Sequence, residues 1–218
     1  MATQSRQLLK RDTFGAVYLV TRGEVRIIER DIAAAPWWSR PTAAWLMRRE
    51  ARALGAVHSQ DGFVQLHSVG ATSLTRSFVP GEPMYVAKPR QRTYFKDAFA
   101  RLRRLHRLNV THNDLANDPN WLVRPDGSAA IVDFQLARVF ATRTASFRRQ
   151  AREDLRHFLK HKRTYLPDAL TARERQILAT PGLASRIWMR TVKPVYLFVT
   201  RRLLNWSDRE GAADRGKQ

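Results

Sequence analysis

The sequence predicts an α+β fold in two parts, a small sheet with one helix followed by a mainly helical region. Three observations predict it. Short apolar runs recur at Leu8 to Val20, Val25 to Ile32, Phe63 to Val69 and Ser73 to Val79, with lengths that suit strands. Longer segments with apolar residues at helical spacing follow, at Tyr94 to Leu108 and Arg148 to Lys162. Between the two groups lies Val79-Pro80-Gly81-Glu82-Pro83, a strong loop signal. It sets a division near residue 82, giving parts over 1–82 and 83–208 and a polar tail over 209–218.

Taken in order, Leu8 to Val20 reads as two strands around a turn that holds Phe14-Gly15-Ala16-Val17, and Val25 to Ile32 as a third. Pro36-Trp37-Trp38-Ser39-Arg40-Pro41 is a Pro-bounded aromatic turn. Thr42 is then an N-cap for a helix to about Leu54, with Trp45, Leu46, Arg49 and Ala53 at helical spacing and Glu50 in its middle. After the loop at 79–83, the helix from Tyr94 to Leu108 turns Phe95, Phe99, Leu102, Leu105 and Leu108 to one side. The helix Arg148 to Lys162 has Leu155, Phe158 and Leu159 as its stripe and Asp154 near its centre. Its His157 and His161 stand four residues apart, a spacing that suits a metal, but no third ligand is in view. Thr171-Ala172-Arg173-Glu174 matches a capping box.

Composition limits the classes. At 218 residues with 44% hydrophobic content, the chain can bury a core and does not read as disordered. The absence of cysteine rules out disulfides and Cys-ligated zinc. Met1 to Lys10 lacks a sustained apolar segment, so no signal peptide is expected, and a cytoplasmic setting is. A formal charge of +20 favours anionic partners, whether nucleotide, phosphorylated sugar, phospholipid or nucleic acid. Nucleic acid is the weaker expectation, because no zinc-finger, KH or RNP signature accompanies the charge.

Function points to one stretch, Thr111 to Ala137. It holds His112-Asn113-Asp114-Leu115, then Asn120, then a hairpin turn at Asp126-Gly127, and a strand that ends on Asp133-Phe134. One carboxylate therefore precedes the hairpin and another stands at its exit. Two acids and an amide brought together this way suit phosphoryl transfer with Mg2+.

The stretch resembles the catalytic and metal loops of the protein-kinase-like superfamily, where His-Arg-Asp-Leu and a following Asn precede Asp-Phe-Gly. Three departures stand out. Asn113 replaces the Arg, so no Arg-based link to a phosphorylated activation loop is expected. The interval from Asp114 to Asn120 is one residue longer than usual and contains Pro119. Gln135 replaces the Gly. These departures look like the small bacterial branch near the lipopolysaccharide-core (heptose/Kdo) kinases and RIO-type kinases.

The resemblance implies a two-lobed fold, an antiparallel-sheet N-lobe with one helix and a mainly helical C-lobe meeting at a hinge at 79–83. It implies ATP and Mg2+ as cofactors, Asp114 as the group that orients and deprotonates an acceptor hydroxyl, and Asn120 and Asp133 as metal ligands. Gly15 and Val17 match the end of the glycine-rich loop. Its two earlier glycines are replaced by Lys10 and Asp12. No lysine occurs between Lys10 and Lys88, so Arg30 or Glu29 takes the place of the strand lysine. Glu50 matches its helix partner. Asp154 matches the acid that anchors the catalytic loop from below, or else is an exposed acid among arginines. The implied acceptor is a lipopolysaccharide-core sugar or a protein Ser/Thr. The depleted loop and missing lysine suit an alternative, a silent pseudokinase that binds nucleotide and scaffolds partners at the membrane. The segment Ser185 to Trp206 is either a large-lobe helix or, through its Trp, Tyr and flanking cations, a peripheral contact with anionic membrane.

Overall fold

A computed structural model describes residues 4–180. The segment Ser185 to Trp206 and the tail at 209–218, with the membrane contact and large-lobe helix expected there, lie outside the described residues. The chain divides into two units, Met1–Glu174 and Arg175–Gln218.

The first unit is α+β. Strands β1 (Gln4–Asp12), β2 (Gly15–Arg22), β3 (Val25–Asp31), β4 (Leu66–Val69) and β5 (Ser73–Ser77) form one antiparallel sheet in the order β1-β2-β3-β5-β4. The turns explain the pairing. Asp12 Oδ1 accepts the Phe14 amide at 2.8 Å, closing the Thr13-Phe14 turn. Gly23, at φ 60°, begins the two-residue turn into β3. Strand alternation then sorts β3: Ile28 and Arg30 are buried while Glu29 is not.

Gly15 has a specific reason to be glycine. Its φ is 123°, and a Cβ there would stand 2.3 Å from Asp31 O of the neighbouring strand. Gly15→Ala is expected to cost roughly 1–3 kcal/mol, read as a shift of the urea midpoint. Gly55→Ala, at a helical position with open space around it, should be neutral or mildly stabilising. Equal effects at both would remove the close-approach argument.

Helix α1 (Arg40–Ala56) starts two residues before the expected Thr42, and its N-cap is Ser39. The physical reason is that Pro41 fits the first helical turn, where its missing N–H costs nothing. Ser39 Oγ meanwhile donates to Thr13 O at 2.6 Å, tying the helix entry to the β1–β2 turn. Trp45, expected on the helical stripe, is exposed, while Leu46, Met47, Ala53 and Leu54 are buried.

The expected loop at 79–83 contains a strand, β6 (Glu82–Pro83), followed by a short helix α2 (Met84–Ala87). Helix α3 (Arg92–Arg107) leads through β7 (Val110–Thr111) into β8 (Trp121–Val123) and β9 (Ala129–Ile131), joined at the Asp-Gly turn. Order β6-β8-β9 makes a second sheet, and β10 (Arg138–Val139) pairs back on β7. Helix α4 (Ala145–Tyr165) is capped by Thr144, whose Oγ1 accepts the Phe147 amide. The core here is aromatic: Phe158 of α4 stands 5.7 Å from Trp121 of β8 and 6.2 Å from Phe95 of α3. Helix α5 (Ala172–Ala179) begins with the expected capping box, Thr171 Oγ1 and Glu174 each accepting the other's backbone amide. Among the described residues no helix is long and apolar enough to cross a membrane.

Candidate active site

The site stretch is a closed loop. Its two ends pair as β7 and β10, with Thr111 opposite Arg138 and Val110 opposite Val139. Within it, Val132 N–H donates to Asn120 O at 3.0 Å, so the hairpin exit is held against the loop before the hairpin.

This closure brings the three expected groups together. Asn120 Nδ2 donates to both Asp114 O and Asp114 Oδ2, each at 2.8 Å. Asp133 lies close enough for its charge to act on Asp114. Burial raises the Asp114 carboxyl above its ordinary pKa, Asp133 pushes the same way, and the Asn120 bond and His112 oppose the shift. Asp133 adopts a left-handed backbone, φ 62° and ψ 74°, and caps the 3-10 turn Phe134–Leu136. The fully buried Phe134 ring fixes that turn, 5.0 Å from the His112 ring and 6.2 Å from Phe63. With Asn120 Nδ2 committed to Asp114, its Oδ1 and the Asp133 carboxylate are the hard oxygen donors that suit Mg2+. Among the described residues no group of three or more His, Cys, Asp or Glu could hold a metal. Mg2+ does not need one, because it binds through one or two carboxylates plus phosphates and water.

Asp154 carries the loop from below. Its Oδ2 accepts the His112 amide at 2.8 Å and its Oδ1 the Asn113 amide at 2.9 Å, with His106 Nε2 at 3.2 Å from Oδ2. The acid is buried, not exposed among arginines. His112 Nε2 donates to Val132 O at 3.0 Å, binding the loop to the hairpin exit.

The sheet side of the site is an ion-pair cluster. Arg30, not Glu29, faces inward: Arg30 Nε stands 3.0 Å from Glu50 Oε2, and Arg76 Nε 3.3 Å from Glu50 Oε1. These are charge contacts whose N–H directions are not aligned as hydrogen bonds. Glu29 instead pairs with Arg6 on the surface, 3.1 Å away. Arg30 Nη2 donates to Gln135 Oε1 at 3.0 Å, which joins the cluster to the turn that Asp133 caps. Gly15 and Val17 adjoin this group only through strand pairing, Val17 opposite Arg30, and make no hydrogen bond to Asp114, Asn120 or Asp133.

Sequence reasoning missed Arg76, Gln135 and the network around His161. The signal for Arg76 was available: it lies two residues from buried Leu74 on an inward-alternating strand. Gln135 gave no signal, because its partner is 105 residues away. His161 is no metal ligand with His157. Its Nδ1 lies 3.2 Å from Asp118 Oδ1 and its Nε2 2.7 Å from Leu115 O, and burial lowers the His157 imidazole to about 4.

The described surface has cavities on two sides of this region. One of about 460 Å³ is lined by Asp61, Phe63, Phe78, Val79, Pro80 and Arg124 among others, and one of about 600 Å³ lies between α1 and β10. Neither is lined by Asp114, Asn120 or Asp133. No protein-family model matches the chain, and no curated protein matches it.

Proposed function

We propose that this chain has a two-lobed protein-kinase-like fold, with the division near residue 82, and is a phosphotransferase using ATP and Mg2+. One observation carries the reading: the Arg30–Gln135 bond links the buried pair of Arg30 on β3 and Glu50 on α1 to the turn bearing Asp133, beside Asp114 and Asn120. Arg30, held in place by Glu50, then steadies the nucleotide phosphates with Gly15 and Val17 above them, Asn120 and Asp133 hold Mg2+, and Asp114 receives the acceptor proton. The acceptor is a hydroxyl of a lipopolysaccharide-core sugar or of a protein Ser/Thr, and the setting is the cytoplasm or the inner face of the cytoplasmic membrane.

A second reading has its own observation. Arg30 is only 7% exposed, with Nε and Nη2 taken by Glu50 and Gln135. A cation so engaged suits a silent pseudokinase that binds nucleotide without turning it over.

Purified chain with Mg-ATP separates them, measured beside Asp114→Ala and Asp133→Ala. Each variant is expected to lose about 10²-fold or more of the turnover. Equal residual rates in all three would remove the enzyme, and ATP binding without turnover would favour the second reading. Because burial raises the Asp114 carboxyl, it stays protonated to higher pH than an exposed one. The acid limb of the rate profile should therefore lie above the ordinary carboxylate value of about 3.9.

A further inference from the structure

The larger cavity is chemically one-sided. Arg49, Arg52 and Arg138 bring three guanidinium groups to its wall, and no carboxylate lines it. Its neutral polar groups already have partners: Asn113 Nδ2 donates to Leu136 O at 2.9 Å, and Gln150 accepts from Thr111 and donates to Ser146. Arg49 is held in place by Leu136 O at 2.8 Å from Nη2, with its guanidinium 4.5 Å from the centre of the Trp45 ring. Burial, and after it the nearby Arg138, lower its pKa. Like charges gathered this way repel one another, and a bound anion relieves the repulsion. The apolar part of the wall is exposed as well, at Trp45, Leu136 and Val139. At about 600 Å³ the space has the size of a small-molecule site.

We propose that this groove binds a phosphate ester, its anion held by Arg49, Arg52 and Arg138 and its apolar part laid against Trp45, Leu136 and Val139. The exposed Arg52 and Arg138 present guanidinium forks that match phosphate oxygens in pairs. Arg49, its Nε and Nη2 held on the Leu136 and Ala137 carbonyls, adds its charge with little further ordering. The site is separate from Asp114, Asn120 and Asp133, so it stands whether or not the chain transfers phosphate.

Phenyl phosphate is the first probe, titrated into the full chain at low ionic strength and followed by calorimetry. One saturable site is expected, with inorganic phosphate binding more weakly for lack of an apolar part. Arg52→Gln with Arg138→Gln should weaken phenyl phosphate by about tenfold for each guanidinium removed. Arg11→Gln with Arg22→Gln, which removes the same charge from exposed sheet positions, should weaken it less than about twofold by screening alone. Arg52→Gln by itself, on an exposed helical position, keeps the test open if the double variant does not fold. Phosphatidylcholine vesicles with and without phosphatidylglycerol make the second arm. Binding only to the anionic vesicles, lost in the Arg52/Arg138 variant, would identify the ester as a lipid headgroup. Saturation by neither probe, or equal weakening by both arginine pairs, would overturn the proposal.

Discussion

Glu50→Ala is expected to destabilise the fold by about 3–5 kcal/mol, the range for removing one partner from a buried ionic cluster. Glu50 is fully buried and stands between Arg30 Nε at 3.0 Å and Arg76 Nε at 3.3 Å. Removing its charge leaves two guanidinium groups facing each other out of water. Glu50→Gln keeps the shape but not the charge and should fall short of that loss, since an amide oxygen still faces one arginine. Urea denaturation at unchanged slope reads both values, and added salt should alter them little because buried charges are poorly screened. A loss below about 1 kcal/mol for Glu50→Ala would mean that the pairing adds nothing beyond a surface contact.

Asp154→Asn comes next in size. Three donors converge on this carboxylate: the amides of His112 and Asn113 and the His106 ring. An asparagine amide would turn two hydrogens toward one of those N–H groups, so the loop loses an acceptor and gains a repulsion. The expected loss is roughly 3 kcal/mol, from hydrogen bonds to a charged acceptor. The informative readout is local: amide exchange at His112 and Asn113 should quicken by about a hundredfold, more than in α3 or in the five-stranded sheet. If Asp114 works as proposed, turnover falls with the loosened loop while nucleotide binding is kept. Unchanged exchange at those two amides would show that another contact holds the loop.

Where a residue's partner lies close in sequence, the sequence was enough to name it. The Asp126-Gly127 turn joins β8 to β9 as expected. Thr171 and Glu174 make their reciprocal cap. Asp114 and Asn120 hydrogen-bond although their interval is one residue longer than in the family they resemble. Thr42 was displaced as a cap by Pro41, a local signal for the first helical turn that the aromatic-turn reading passes over. The bond from Ser39 to Thr13 O is a long-range tie that no local rule contains. The strand β6 was hidden inside a Pro-Gly loop signal because two residues carry no period, and only their pairing with Val123 and Leu122 makes them a strand. The choice between Arg30 and Glu29 was open at the level of charge and is decided by which face of β3 lies on α1.

By itself the sequence determined the α+β class and the order of the longer strands and helices, because each depends on period or turn chemistry within a few residues. Tertiary structure decided the rest. Closing β7 on β10 set Asp133 near Asp114, Asp154 rose under the loop from α4, and Gln135 reached Arg30 across the chain. The physical reason is one of range: a hydrogen bond or ion pair acts over about 3 Å, and side chains far apart in sequence come within that distance only when burial of the apolar faces has set the elements against one another.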